Sequence, residues 1–229
     1  MKKFLITGCK SGLGKYLHQN LDDSTGLYRE NFDEVKNDDY EYIIHCAFNK
    51  ENTISDYKKY LQDNILLLLE LKKIKHKKFI YFSSIDVYSE NNNMYTLFKK
   101  FAETLLDKND LILRCSALLG PDMKSNHIAK MKQNAKSLTL SKSSTFNYIL
   151  YSDVLDFINS DNLTSYNGVI DFVSNNYLPL EETAKFFNVN IEFGQYEYNS
   201  VHNYENPIYE LNKKYDKSSL DVLKEYNEQ

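Results

Sequence analysis

The sequence predicts an α/β fold, a doubly wound parallel sheet carrying a small C-terminal part, and three observations lead there. Continuous apolar runs of strand length alternate with segments of helical spacing through the first 120 residues. Three of the seven glycines, Gly8, Gly12 and Gly14, fall between the first such run and the first helical segment. A run tipped by Ser83-Ser84 is followed by a helix that opens with Tyr95-x-x-x-Lys99.

Each element is justified in turn. Lys3 to Thr7 reads as a strand and Leu13 to Leu21 as a helix, with a weak strand near Gly26 to Glu30. Tyr42 to Ala47 is an unbroken apolar run of the kind a parallel strand shows when both of its faces are covered. Residues 54 to 74 predict one long helix with apolar positions Tyr57, Leu61, Ile65, Leu68 and Leu71. Phe79 to Phe82 is a buried strand, Tyr95 to Leu106 a helix and Leu111 to Cys115 a strand, after which Gly120-Pro121 breaks the chain. Beyond it the spacing predicts helices over Asn126 to Lys136 and from about Ser152, a last strand at Gly168 to Val173, and a terminal helix from Ser218. The stretch from Gly194 to that helix has no assignable pattern. The expected division is 1–120, a nucleotide-binding half that includes the catalytic residues, and 121–229, a smaller substrate-binding portion that returns one strand to the sheet.

Composition narrows the function classes. The 229 residues are 42% apolar and 26% charged, ordinary for a globular chain, and the net charge of −4 offers no footprint for nucleic acid or anionic lipid. Cys9, Cys46 and Cys115 are odd in number and far apart, so no disulfide framework and no metal site is expected. The opening apolar run stops at Thr7-Gly8 and no segment reaches membrane-spanning length, so a cytoplasmic protein is expected.

A turn that brings backbone amides against a diphosphate, at the positive end of a helix, needs residues without a Cβ. Gly8, Gly12 and Gly14 meet that need directly after the first strand, as in the Rossmann arrangement. In an open parallel sheet ligands sit beyond the carboxyl ends of the strands, where Ser84 lies. Tyr95 and Lys99 are four apart and share a helix face. A phenol has an unperturbed pKa near 10, so bringing it to neutrality would take roughly 4 kcal/mol of stabilisation, which a neighbouring ammonium is suited to provide. A serine hydroxyl can then hold the reacting oxygen. With 19 tyrosines such a pair also recurs by chance, and Tyr209/Lys213 in the polar tail is read as a solvated pair.

Thr7-Gly8-Cys9-Lys10-Ser11-Gly12-Leu13-Gly14 resembles the cofactor loop of the short-chain dehydrogenases/reductases. Ser84-Ile85-Asp86-Val87-Tyr88, Tyr95-x-x-x-Lys99, His45-Cys46-Ala47, Leu113-Arg114 with Gly120-Pro121, and Tyr151-Ser152-Asp153-Val154 resemble segments of its extended branch, the nucleotide-sugar epimerases, dehydratases and reductases. The resemblance covers about residues 1 to 160. It implies that Lys10, Ser11 and Leu13 join the three glycines around the diphosphate, with Cys46 and Ala47 beside the cofactor. Tyr95 would be the acid/base, Lys99 would hold the nicotinamide ribose and tune Tyr95, Ser84 would bind the reacting oxygen, and Asn64 would support the active site. Departures bear on the substrate. Ser11 stands where the extended branch has Gly, Ala117 where it has Asn, and Phe146-Asn147 where an Arg ligand of the substrate diphosphate is expected. Lys130, Lys132, Lys136 and Lys142 are candidates to replace that Arg, or form a solvated face.

The cofactor expected is NAD or NADP. Tyr28-Arg29-Glu30 offers both an acidic ribose ligand and a cation for a 2′-phosphate, and Arg29 tips the balance to NADP. The expected reaction is reduction of a keto group on a sugar-like substrate, nucleotide-linked or free, with Tyr95 donating the proton. Ile85-Asp86 offers one carboxylate where dehydratases carry an Asp-Glu pair. An epimerase or dehydratase with retained NAD, or a non-catalytic dinucleotide-binding module, are the alternatives. The resemblance also implies a homodimer formed through the 54–74 and Tyr95 helices.

Overall fold

The computed structural model describes residues 2–49, 57–90, 93–200 and 203–229. The first half runs β1 (Lys2–Thr7), α1 (Gly12–Asn20), β2 (Ser24–Leu27), α2 (Phe32–Val35), β3 (Tyr40–His45), α3 (Tyr57–Leu61), α4 (Leu67–Lys73), β4 (His76–Ser84), α5 (Met94–Thr104) and β5 (Leu111–Cys115). The second runs β6 (Ala117–Leu119), α6 (His127–Lys132), β7 (Thr145–Phe146), β8 (Tyr148–Leu150), α7 (Tyr151–Ile158), β9 (Gly168–Phe172), β10 (Leu178–Pro179), α8 (Leu180–Phe186), α9 (Ile208–Leu211) and α10 (Ser219–Glu228).

Six strands form a parallel sheet in the order β2-β1-β3-β4-β5-β9. Successive side chains of a strand point to opposite faces, and the two sides are clad differently. Phe4, Ile6, Ile44, Ile80, Phe82 and Leu113 pack with Leu13 and Leu17 of α1 and Val154 and Phe157 of α7. Leu5, Ile43, Phe79, Tyr81 and Ile112 pack with Leu68 and Leu71 of α4 and Ala102 of α5. Burial on both faces explains why the strands read as unbroken apolar runs. Between α1 and β3 the chain has only one short strand and the four-residue α2, and β2 forms the sheet edge.

Several boundaries differ from expectation. The weak strand falls at Ser24–Leu27, a little upstream. Residues 54 to 56 of the expected long helix lie outside the described residues. From Tyr57 the helix is interrupted by a π turn at Gln62–Leu66. Its extra residue rotates the helix face, so Tyr57 and Leu61 are exposed and Tyr60 is buried in their place. Helix α6 stops at Lys132, four residues early, and Asn134 at φ 54° turns the chain away. Helix α8 had no counterpart in the reading.

After β5 the chain builds a second, smaller body. β6 pairs with β8 in parallel, and β7 with β10 antiparallel. Leu119, Ile128, Tyr148, Leu150 and Val222 form its core, with Met131, Leu138, Leu180 and Ile191 beyond. The stretch after Gly194 runs beside residues 137–145 through isolated bridges at Leu140–Tyr196 and Thr145–Asn199. Among the described residues no helix is long and apolar enough to cross a membrane.

Candidate active site

The carboxyl ends of β1, β3, β4 and β5 open into one cleft of about 1470 Å³, whose far wall comes from the second body. At its head is the glycine turn. Gly8 and Gly12 take φ of +75° and +57°, values that L side chains avoid. Gly14 serves a different need, since a Cβ there would lie 2.6 Å from the carbonyl oxygens of Thr7 and Gly8. Its absence lets α1 settle onto the end of β1. Lys10, Ser11, Gly12 and Leu13 border the cleft at the N-terminus of α1.

The β3 side of the turn is pinned by Thr7. Its hydroxyl accepts from the Ala47 amide at 3.0 Å and lies 2.8 Å from His45 Nδ1. Burial, with Lys99 adding to it, lowers the His45 pKa to about 3, so the ring is neutral. Ala47 is close enough that a Cβ on Gly8 would press on its backbone nitrogen at 3.1 Å. Cys46 lines the cleft beside it, its thiol pushed far up by burial, and burial lifts Cys9 to about 11. Both are unreactive thiols at neutral pH.

Ser84 ends β4. Its hydroxyl accepts from the Asp86 amide at 3.2 Å. Helix α5 begins with its Asn93 cap accepting from the Thr96 amide, and so sets Tyr95 in its first turn, in the cleft with Ser84. Burial raises the Tyr95 pKa, and the neighbouring Ser84 hydroxyl works against that rise. Lys99 lies one turn on and is buried, donating to the Phe82 carbonyl at 2.6 Å. Its ammonium sits 4.1 Å from the Phe48 ring centre and 4.7 Å from that of Tyr81, against 6.0 Å for Tyr95. The phenol is therefore held protonated, whereas the spacing alone suggested a phenol brought towards neutrality.

Twelve of the thirteen expected site residues line this cleft: Gly8, Lys10, Ser11, Gly12, Leu13, Gly14, Arg29, Cys46, Ala47, Ser84, Tyr95 and Lys99. Asn64 does not. It is buried behind the wall in the π turn, where its amide accepts from the Asn49 N–H at 2.7 Å and donates to the Asn49 carbonyl at 3.0 Å. Its place is to hold the loop after β3. Arg29 stands exposed past β2 with its guanidinium 3.0 Å from Asp63, which also takes Lys59 at 2.6 Å. Lys10 and Glu30 face each other at 3.6 Å. Tyr209 and Lys213 lie away from the cleft, as do Lys130, Lys132, Lys136 and Lys142.

The opposite wall comes from the 121–229 part, where the sequence offered Tyr151 within a motif but singled out no site residue. Tyr151 packs its ring against Gly120, where a Cβ would overlap it, and its hydroxyl lies 3.3 Å from the Cβ position of Gly12, facing the Leu13 amide. His127, Phe146 and Tyr198 form an aromatic ladder, with ring centres 3.9 Å and 4.7 Å apart. Asn147 supports the ladder by gripping the Ser174 and Asn176 backbone. Phe146 and Asn147 were visible as departures from a motif, but Tyr198 sits in patternless tail and gave no signal.

No family model matches the sequence, and no curated protein does. Solved structures do. dTDP-4-dehydrorhamnose reductase from Bacillus anthracis, in complex with NADP, is similar with a TM-score of 0.76 at 17% identity, over 98% of this chain and 97% of that one. The two chains share one fold. UDP-N-acetylglucosamine 4-epimerase from Methanobrevibacter ruminantium is similar at 0.74 and 17% identity, over 98% and 95% of the two chains. UDP-glucuronic acid 4-epimerase from Bacillus cereus, in complex with UDP-glucuronic acid and NAD, is similar at 0.73 and 15%, over 98% of each.

Proposed function

We propose that this chain is an NAD(P)-dependent reductase of a keto group on a sugar-like, nucleotide-linked substrate, with Tyr95 as the proton donor. The observation that carries the reading is the meeting of Ser84, at the end of β4, with Tyr95 and Lys99 of α5 inside the cleft that the glycine turn heads. The positive-φ Gly8 and Gly12, with α1 brought close to β1 by Gly14, form a turn fitted to a dinucleotide. The α1 N-terminus, with Gly8 and Lys10 to Gly14, would hold its diphosphate, Cys46 and Ala47 would flank it, and Lys99 would hold the nicotinamide ribose. The bound dinucleotide would supply hydride.

The protein's own part is to place and protonate an oxygen. Ser84 would donate to the substrate carbonyl, leaving that oxygen beside the Tyr95 hydroxyl. Because burial keeps Tyr95 protonated, it is ready to give a proton to a developing alkoxide, which suits reduction. Met123 to His127, Phe146, Asn147, Tyr198 and Ser200 would supply the substrate wall, in keeping with the expected division at residue 120.

Arg29, past β2, and Lys10, in the turn after β1, favour NADPH. A homodimer is also proposed. Leu61, Leu66 and Leu69 of one helix and Leu97 and Phe101 of α5 are exposed, an apolar pair of helices suited to a second copy. Light scattering should give twice the chain mass, and a monomer at micromolar concentration would remove that part of the proposal.

The test is a fluorescence titration with NADPH and with NADH. NADPH should bind at least about tenfold more tightly, and Arg29→Ala should narrow the gap. Binding of neither would overturn the reading. Tight binding without turnover of any 4-keto sugar nucleotide would point to a non-catalytic module, and NAD retained through purification to an epimerase.

A further inference from the structure

We propose that Asp86, held in place by Tyr198, selects the sugar: it accepts a substrate hydroxyl and turns away sugars that carry a carboxylate. The inference rests on the proposed reading of the cleft and goes on to name the substrate's charge.

Asp86 is two residues beyond Ser84, in the single turn Ile85–Tyr88, and lines the same cleft as Ser84 and Tyr95. Its Oδ1 accepts from the Tyr198 hydroxyl at 2.6 Å. Among the described residues no Lys, Arg or His forms an ion pair with it, and Oδ2 takes no hydrogen bond. Three buried or half-buried carboxylates are neutralised by cations, Glu103 by Arg114, Asp110 by Lys72 and Asp153 by Lys217, while buried Asp171 is filled by the Tyr88 hydroxyl and the Glu205 and Asn206 amides. Asp86 thus stands apart as a carboxylate at the reacting end of a cleft with an acceptor to spare.

Tyr198 is placed for its part from outside the sheet. Its amide donates to Ser144 Oγ at 3.0 Å, its carbonyl accepts from the Thr145 amide at 2.9 Å, and its ring stacks on Phe146 at 18°. The tail therefore reaches across the cleft and fixes one carboxylate oxygen, which aims the other. Burial, reinforced by the neighbouring Asp86 charge, keeps the Tyr198 phenol protonated.

A carboxylate in a partly desolvated site gains a charge-assisted hydrogen bond from a sugar hydroxyl and is repelled by a second carboxylate. Selectivity then comes from repulsion as much as from attraction. UDP-glucose and UDP-glucuronic acid are a matched pair, differing by a hydroxymethyl against a carboxylate. Calorimetric titration of each into protein saturated with NADPH reads the preference directly. UDP-glucose should bind about tenfold or more tightly than UDP-glucuronic acid, and Asp86→Asn should bring the two within about threefold. Tyr198→Phe keeps the ring on Phe146 and should weaken UDP-glucose by about threefold or more, leaving UDP-glucuronic acid unchanged.

Equal affinities in the unaltered protein, or a preference that survives undiminished in Asp86→Asn, would overturn the inference alone. If Asp86→Asn does not fold, an unaltered ratio in Tyr198→Phe overturns it. Binding of NADPH with neither sugar nucleotide would instead overturn the nucleotide-sugar substrate, and this inference with it.

Discussion

Lys99 donates a 2.6 Å hydrogen bond to the carbonyl of Phe82, on the strand that Ser84 ends, and so ties α5 to the sheet. The ammonium is further held between the faces of Phe48 and Tyr81. Replacement by Met should leave the Phe82 carbonyl without its partner, cost about 1–3 kcal/mol in stability, and weaken dinucleotide binding. Arg should not rescue it, because a planar guanidinium is too broad for that space. Urea unfolding and NADPH titration of both variants check this, and full rescue by Arg would count against it.

Tyr95→Phe should lower turnover by about 10²–10⁴-fold while the NADPH affinity stays within about threefold of the unaltered value. Ser84→Ala should also lower turnover, by less. Single-turnover kinetics with NADPH separate the chemistry from binding. A Phe variant that remains active would remove Tyr95 from its proposed role.

Gly120→Ala should destabilise the fold by about 1–3 kcal/mol, because the added methyl meets the Tyr151 ring. Since Tyr151 faces Gly12 and the Leu13 amide, the same change should disturb the cofactor turn. Tyr151→Phe in the Gly120 parent serves as the control, keeping the ring and removing the hydroxyl. Thermal melts and NADPH titration on both variants give the two effects separately, and an Ala variant as stable as the parent would contradict the packing.

Stability should fall as the solution is acidified from about pH 6.5. His45 and His127 are both held at about 3 by burial, below the unfolded value, so the unfolded chain binds more protons across that window. Stability is fully present above the unfolded pKa and is lost as pH falls towards the folded one, at up to about 1.4 kcal/mol per pH unit for each histidine. His127, 2.9 Å from the Tyr148 hydroxyl, can be replaced by Gln to test this. Melting temperature against pH should then fall less steeply, and an unchanged slope would exclude His127 as a contributor.

Some of this was written locally in the chain. A strand covered on both faces needs only apolar residues, so β1, β3, β4 and β5 were legible as runs. The glycine turn was legible because a close backbone approach restricts the residue type whatever surrounds it. Ser84, Tyr95 and Lys99 were legible because one strand end and one helix turn suffice to bring them together.

The rest depended on contacts between distant segments. The π turn at Gln62–Leu66 changed which helix face is buried, and no residue in it announces the extra residue. The strands of the second body are two or three residues long, too short to show a period, and they exist because partners such as Leu119 and Leu150 meet. The protonated state of Tyr95 follows from burial, which spacing does not record. Tyr151 reaches the glycine turn from the other half of the chain, and Tyr198 meets Asp86 across 112 residues. By itself the sequence determined the sheet, the glycine turn and the grouping of Ser84, Tyr95 and Lys99, because each rests on local backbone geometry. Only the tertiary structure decided the far wall of the cleft and the charge it presents, because these arise where segments remote in sequence are packed together.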